Sequence, residues 1–450
     1  MSSDWISMTL GELCEKQGGR IQTGPFGSQL HNSDYVEQGA PVVMPTNIID
    51  SRISEVGIAR IRPQDVERLS QHKLNIGDIV FSRRGDVTKN ALVRTNQVGW
   101  LCGTGCLKVR IGTESLASAR FISYCLQHPE TLEWLVRHAV GATMPNLNTN
   151  ILSRVPINLP SLTTQHKIVT ILDSISGTIE TLQHQNTALE SIAQTLFRSW
   201  FVNFDPVHAK AAGNAPEAMS AELAELFPSE FEESEQGLIP KGWKVGKLSQ
   251  ICHLNPESWS TKNQPQLINY IDLSGLKENI FSETTEYSFL EAPSRARRVL
   301  RKGDSIYGTV RPGNLSYGFI GADEPGLTGS TGFAVLRSIK EIGVEFVYCA
   351  MTLKKNIERL TNLAEGAAYP AVRPDIVHAQ EVVVPCDVVM QNFHRINAPL
   401  FALLSNNRAL VGYLSSLRDH LLPRLISGKL SIGEAEKAVA ELLPEPVEAI

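Results

Sequence analysis

The stretch LNIGDIVFSRRG, Leu74 to Gly85, has a partner late in the chain: LRKGDSIYGTVRPG, Leu300 to Gly313. Each pairs a Gly-Asp turn with a short β-type run and then a basic loop. The two Gly-Asp pairs lie 226 positions apart (303 − 77). The echo continues outward. GTGCLKVR (103–110) answers STGFAVLR (330–337), and RFISYC (120–125) answers EFVYC (345–349). GATMPNLNTNILSRVPINLP (141–160) answers GAAYPAVRPDIVHAQEVVVP (366–385). The offset stays between 224 (349 − 125) and 227 (330 − 103), which points to tandem duplication. Each copy reads as a mostly β domain with Gly-rich turns, a helical stretch, a Gly-containing loop and a strand ending in Pro.

A long helix closes each copy. Ile168, Leu172, Ile175, Ile179, Leu182, Asn186, Leu189, Ala193 and Leu196 step by alternating fours and threes. Ile396, Leu400, Leu403, Asn407, Leu410, Leu414, Leu417 and Leu421 do the same. Such spacing predicts two coiled-coil-like seams that pack on each other, with one register-setting Asn in each. Pro399 is expected to kink the second helix or mark its true start. The expected fold is α+β with a pseudo-two-fold internal repeat: two similar domains separated by two long antiparallel helices. Expected boundaries are 1–160 and 241–385 for the domains, 161–200 and 386–426 for the helices, 201–240 for a crossover linker, helical in part around AMSAELAELF, and 427–450 for a tail.

The chain's 450 residues, 42% hydrophobic and 20% charged, suit two or three globular domains. Seven scattered cysteines predict reduced thiols and a cytoplasmic protein. No apolar run long enough to span a bilayer and no signal peptide are visible. The net charge of −5 argues weakly against nucleic acid, yet the charge is uneven. Acid gathers in AELAELFPSEFEESEQ (221–236) and base in SRARRVLRK (294–302).

The loops suit DNA. In the first copy they offer Gln29, His31, Asn32, Thr46, Asn47, Arg83, Arg84, Lys89, Asn90, Asn146 and Asn148. In the second they offer Arg295, Arg297, Arg298, Arg311, Asn314, Tyr369 and Arg373. Asn and Gln pair bidentately with adenine and Arg with guanine. A ~30-residue helix spans about 45 Å, a little more than the ~34 Å of one DNA turn, so such a spacer could hold two short sites apart. The alternative is a coiled-coil adaptor that bridges proteins and never touches DNA.

A search for chemistry ends without a catalytic or metal site. Cys102 and Cys106 lack the partners of a zinc site, and no phosphate-binding loop or dinucleotide fingerprint occurs. LNPES (254–258) lacks the residues to hold a flipped base, and PDIVHAQEVVV (374–384) lacks the Lys of a nuclease site.

IAQTLFRSWFVNFDPVHAKAAG (192–213) resembles the central region of the specificity subunits of type I restriction–modification systems. LRDHLLPRLISGKL (417–430) resembles the end of their second long helix, and INLPSLTTQHKIVTIL (157–172) the start of the first. GPFGSQL with DYVEQGAPVV, and APSRARRVLRKGDSIYGTVRP with STGFAVL, are similar to the family's target-recognition domains. His208 and Pro385-Cys386-Asp387 depart from the pattern. The resemblance implies a non-catalytic subunit whose two domains each read half of a bipartite DNA target. It implies helices that set the gap and dock two methyltransferase subunits, and two added motor–nuclease subunits. S-adenosylmethionine, ATP and Mg would sit on those partners and none on this chain.

Overall fold

The computed structural model describes residues 5–440, apart from Ala142, Glu283, Ala367 and Ala368. Residues 441–450 of the expected tail lie outside the described residues. The chain divides into two compact units, residues 1–178 with 414–450, and 179–413. The divisions fall inside the long helices rather than at their ends.

In the first unit Ile6–Thr9 pairs antiparallel with Pro156–Leu159, so the domain opens and closes on neighbouring strands. One four-stranded sheet runs in the order Gly18–Thr23, Cys106–Gly112, Ile79–Ser82, Asn90–Leu92. Another runs Leu101–Cys102, Ala40–Val43, Ala59–Ile61, Tyr35–Val36. The second unit repeats this plan. Lys244–Lys247 pairs with Glu381–Val384. One sheet runs Cys252–Leu254, Phe333–Ser338, Ser305–Gly308, Tyr317–Phe319. The other runs Ala296–Val299, Leu327–Ser330, Leu267–Ile271, Thr285–Ser288. Each copy even carries the same parallel pair, Leu101–Cys102 on Ala40–Val43 and Leu327–Ser330 on Leu267–Ile271. The duplication read from the offsets is therefore a duplication of topology. The copies differ at both edges of this sheet: Ala296–Val299 is a full strand where the first unit has only the bridge Lys73–Leu101, and Tyr35–Val36, beyond Ala59–Ile61, has no counterpart beyond Thr285–Ser288.

The Gly-Asp pair has a structural reason in both copies. Gly77 and Gly303 sit at φ +81° and +88°, a backbone region that costs other residues about 1–2 kcal/mol. The following Asp then clamps the sheet. Arg110 donates through Nε and Nη2 to Asp78 at 2.7 Å each. Arg337 does the same to Asp304 at 2.7 and 2.8 Å. Each Asp also accepts a turn N–H, from Asn75 or Arg301, at 2.8 Å. Both carboxylates are buried. The repeated Gly-Asp motif is thus a turn followed by a bidentate ion pair.

The long helices cover Leu162–Phe201 and Asp387–Ile426. In the second unit the C-terminal part of the first packs on the N-terminal part of the second. Phe197 and Phe201 meet Phe393 edgewise, with ring centroids 6.0 and 5.1 Å apart. Asn407 Nδ2 donates to Asn186 Oδ1 at 3.0 Å, so the two seam asparagines bond to each other and run the helices antiparallel. Ile175, Leu414 and Leu421 are buried as expected, and Leu182, Leu189, Leu196 and Leu400 half-buried. Leu403 corrects the reading: it is 47% exposed, while Phe401 and Leu404 are buried. The stripe follows Phe393, Asn397, Phe401, Leu404 and Asn407 because the large aromatic rings, not the leucines, fill the core there. Pro399 neither starts nor interrupts the helix, which begins at Asp387.

Each domain is tied to its helices by partly buried polar contacts. Arg120 Nε donates to both Asp173 oxygens at 2.9 Å, and Tyr124 Oη donates to Asp173 at 2.6 Å. In the second unit Glu345 pairs with His394 at 2.6 Å. Val207, Phe227 and Ile239, from the expected crossover, are buried in the second unit's core beside Trp200 and Trp243. Only Ala221–Glu225 of AMSAELAELF is helical. The acidic run instead forms a hairpin, Phe231–Ser234 with Gly237–Pro240. No helix among the described residues is long and apolar enough to cross a membrane.

Candidate nucleic-acid interface

The loop that follows each Gly-Asp strand is pinned to the Gly-containing turn late in the same domain. In the first unit the Arg83 N–H donates to Gly105 O (2.8 Å), and Arg83 O accepts from Leu147 N–H (2.9 Å). Gly85 N–H donates to Pro145 O at 3.2 Å. The second unit makes the same bonds with other residues: Thr309 N–H to Gly332 O (2.8 Å), Val372 N–H to Thr309 O (2.9 Å) and Arg311 N–H to Pro370 O (2.7 Å). The Gly-containing turns are closed alike, by paired bonds between Val140 and Asn146 and between Glu365 and Ala371. Met144 and Tyr369, at matching places, are 62% and 73% exposed.

Other basic loops join this end of each domain. Gly24 N–H donates to Cys106 O at 2.9 Å, and a Cβ on Gly24 would come within 1.9 Å of Gly103 O. The loop carrying His31 and Asn32 therefore starts against the turn that holds Arg83. In the second unit Thr331 N–H donates to Arg295 O at 2.7 Å, one residue from Gly332, which holds Thr309.

These bonds sort the sequence candidates. Arg84, His31, Asn32, Thr46, Arg295, Arg311, Asn314, Tyr369 and Arg373 are exposed at or near these loops, and Arg83, Lys89 and Asn146 are half-buried there. Arg373 pairs with Asp375 at 2.9 Å. Four candidates make bonds within the scaffold. Asn47 is buried and its Oδ1 accepts from Met44 N–H at 3.0 Å. Asn90 is buried and donates to the Thr88 and Leu126 carbonyls at 3.1 and 3.2 Å. Gln29 accepts from Phe26 N–H at 2.9 Å, and Asn148 caps a short helix through Ile151 N–H at 2.8 Å. Asn forms such local turns for the same reason it suits a base edge: a short arm carrying donor and acceptor.

Ion pairing separates the arginines held by carboxylates from those that are not. Arg62 and Arg68 both bind Asp34 and Asp65, and Arg110 and Arg337 are clamped as described. Arg83, Arg84, Lys89, Arg295, Arg297 and Arg298 form no ion pair among the described residues. Arg297 lies over the Phe289 ring at 4.7 Å and donates to the Ala296 carbonyl at 2.7 Å. Arg83 Nε and Arg298 Nε are buried with no hydrogen-bond partner among the described residues. Burial also pulls the Arg298 guanidinium down from its ordinary value. An unmet buried donor costs the free protein roughly 1–3 kcal/mol, a cost that a bound phosphate or base acceptor would remove. Arg298→Met should accordingly raise stability by about 1 kcal/mol while reducing the slope of log affinity for DNA against log salt by ~0.9. An unchanged salt slope would remove Arg298 from the interface.

The six buried cysteines are structural; burial pushes the Cys102 thiol up to about 12. No group of three His, Cys, Asp or Glu among the described residues could hold a metal ion.

Comparison with known proteins gives a consistent picture. The family described as "Type I restriction modification DNA specificity domain" matches residues 2–191. The MjaIX specificity subunit of Methanocaldococcus jannaschii is 25% identical over 323 residues, covering 70% of this chain and 70% of its own length. The HindI specificity subunit of Haemophilus influenzae is 22% identical over 477 residues, covering 95% of this chain and 100% of its own. The crystal structure of a type I restriction-modification S subunit from M. genitalium shares the fold, with a TM-score of 0.51 at 15% identity, covering 94% of this chain and 97% of that one.

Proposed function

We propose that the chain is a DNA-specificity subunit of the type I restriction–modification kind, and that it chooses the DNA target for partner enzymes. Each domain reads one half of a two-part sequence through its own loop cluster. The paired helices set the unspecified gap and dock two methyltransferase subunits. Those partners carry S-adenosylmethionine and methylate adenine N6; two motor–nuclease subunits with ATP and Mg complete the restricting form. This chain supplies recognition and no catalysis.

One observation carries this reading: the same loop-to-turn bonds recur in both domains, while the side chains they present differ. A scaffold kept constant under changing side chains is what two readers of two different sequences need. Where the first copy has Arg83, Arg84 and Lys89, the second has Thr309, Val310 and Leu315 at the offset of 226, so the two chemistries are not interchangeable. The negative total charge is no obstacle, since phosphate contacts can be shared with the partner subunits.

The test is co-expression with the methyltransferase subunit encoded beside it, followed by base-resolution mapping of methylated adenine. The expected result is methylation confined to one two-part motif with a fixed gap. A complex that assembles but methylates at no such motif would refute the reading.

A further inference from the structure

We propose that Arg311, positioned by Tyr369, reads a guanine in the half-site of the second domain. The inference rests on the DNA-specificity reading above and names the base class that one residue recognises.

The first observation is backbone conformation. Arg311 and Gly85 are equivalent, because each donates its N–H to the proline carbonyl of the late turn, Pro370 O or Pro145 O. Both lie in the left-handed region, Gly85 at φ +77° and Arg311 at φ +49°. Glycine adopts that conformation at no steric cost, whereas a side chain pays for its Cβ. The second copy thus accepts strain to place a long cationic side chain where the first copy has none. Leu315, four residues on in the same loop, is also left-handed at φ +62°. Strain of this kind survives where surrounding bonds enforce it, and it concentrates at binding sites. Here the enforcing bonds are the 2.7 Å contact to Pro370 O, and two from Thr309, whose N–H and Oγ1 both donate to Gly332 O at 2.8 Å.

The second observation is what the side chain meets. The Arg311 guanidinium carbon lies over the Tyr369 ring, 5.1 Å from its centroid. Tyr369 stands at the tip of the Gly366 turn and is 73% exposed, so the pair is presented at the surface rather than packed in the core. A guanidinium stacked on an aromatic face holds its N–H fork in one plane, and a planar fork matches the O6 and N7 acceptors of guanine. The first copy has Gly85 and Met144 at these two positions, so it lacks both halves of the device.

The experiment maps methylation by the co-expressed complex carrying wild-type chain, R311G, R311K, Y369F or Y369A. R311G should fold, because it restores the residue of the sister copy, and its Tm should rise by about 1–3 °C as strain is released. It should also lose discrimination at one guanine of the second half-site, by on the order of 10–100-fold, with the first half-site and the gap unchanged. R311K keeps the charge without the fork and should relax the same position. Y369F should retain discrimination and Y369A lose it, which separates positioning from mere packing. A motif unchanged by R311G and R311K overturns the assignment, as does relaxation at a base other than guanine. A uniform loss across all sequences would make Arg311 a phosphate contact and also overturns it. The absence of any two-part motif with the wild-type chain would instead refute the specificity reading itself.

Discussion

Replacing Asp78 with alanine is expected to destabilise the first unit by about 3–5 kcal/mol, the cost of leaving a paired, largely buried arginine without its acid. Asp78 is 1% exposed and Arg110 27%, and Asp78 is the one carboxylate within ion-pair distance of Arg110 among the described residues. Asp304→Ala removes the equivalent clamp but should cost less, about 1–3 kcal/mol. Glu257 also reaches Arg337 and bonds Arg301 at 3.0 Å, so Arg337 keeps a carboxylate after Asp304 is lost. Both substitutions orphan one turn N–H, so that loss cancels in the comparison. Hydrogen exchange of the strands Ile79–Ser82 and Ser305–Gly308 reports the two units separately. Exchange at the first should accelerate by at least ~100-fold in D78A, and at the second by less in D304A. Equal losses would mean that the Gly-Asp turn matters and the arginine does not.

The same pair carries a pH signature. Hydrogen bonds from Arg301 and then Arg337 hold the Glu257 carboxyl below its ordinary value of 4.5. A depressed folded pKa stabilises above 4.5, and the contribution is lost as pH falls through the folded value. In D304A the second unit depends more on Glu257 and should lose protection more steeply below pH 4.5. D78A has no such neighbour and should not change in that way.

The repeat was legible because its markers are residues with few substitutes. A left-handed turn calls for glycine, and the Asp behind it caps the turn and takes an arginine. The arginine's role was hidden, since Arg110 and Arg337 lie 32 and 33 residues from their partners. Spacing gave the seam asparagines correctly because only a one-dimensional period was needed. It erred at Leu403 because counting leucines ignored Phe401, whose larger side chain is buried one position past Leu400 and carries the stripe on to Leu404. Among loop candidates, residue type could not separate Asn47 and Asn90 from their exposed neighbours. Burial decides that, and burial depends on contacts distant in sequence, such as Asn90 with Leu126 O. Arg311 had a usable signal that the reading missed. At the offset of 226, Gly85 aligns with Arg311; the likeness of SRRG to VRPG pairs Gly85 with Gly313 instead and conceals it.

Exchanging a whole domain should have the largest functional effect, and the fold says where to cut. Residues 1–160 open with Ile6–Thr9 and close with Pro156–Leu159, paired in register from Ile6–Leu159 to Thr9–Pro156. Residues 241–385 open and close the same way, from Lys244–Val384 to Lys247–Glu381. Each domain therefore enters and leaves the helical frame at adjacent strands, and a replacement that keeps this pair keeps the frame. Substituting residues 1–160 with those of another family member should rewrite one half of the methylated motif and leave the other half and the gap intact. Each wrong base pair costs roughly 1–3 kcal/mol, so a half-site of about three bases is worth some 3–9 kcal/mol. That is a factor of at least ~100, enough for the old half to vanish rather than blur. The contacts that tie the domain to its helix must be carried across, since Arg120 and Tyr124 bind Asp173 on the retained helix. A donor lacking an arginine at that place should assemble poorly until Asp173 is matched to it. A chimera that assembles yet changes both halves of the motif, or the gap, would show that the two domains do not read independently.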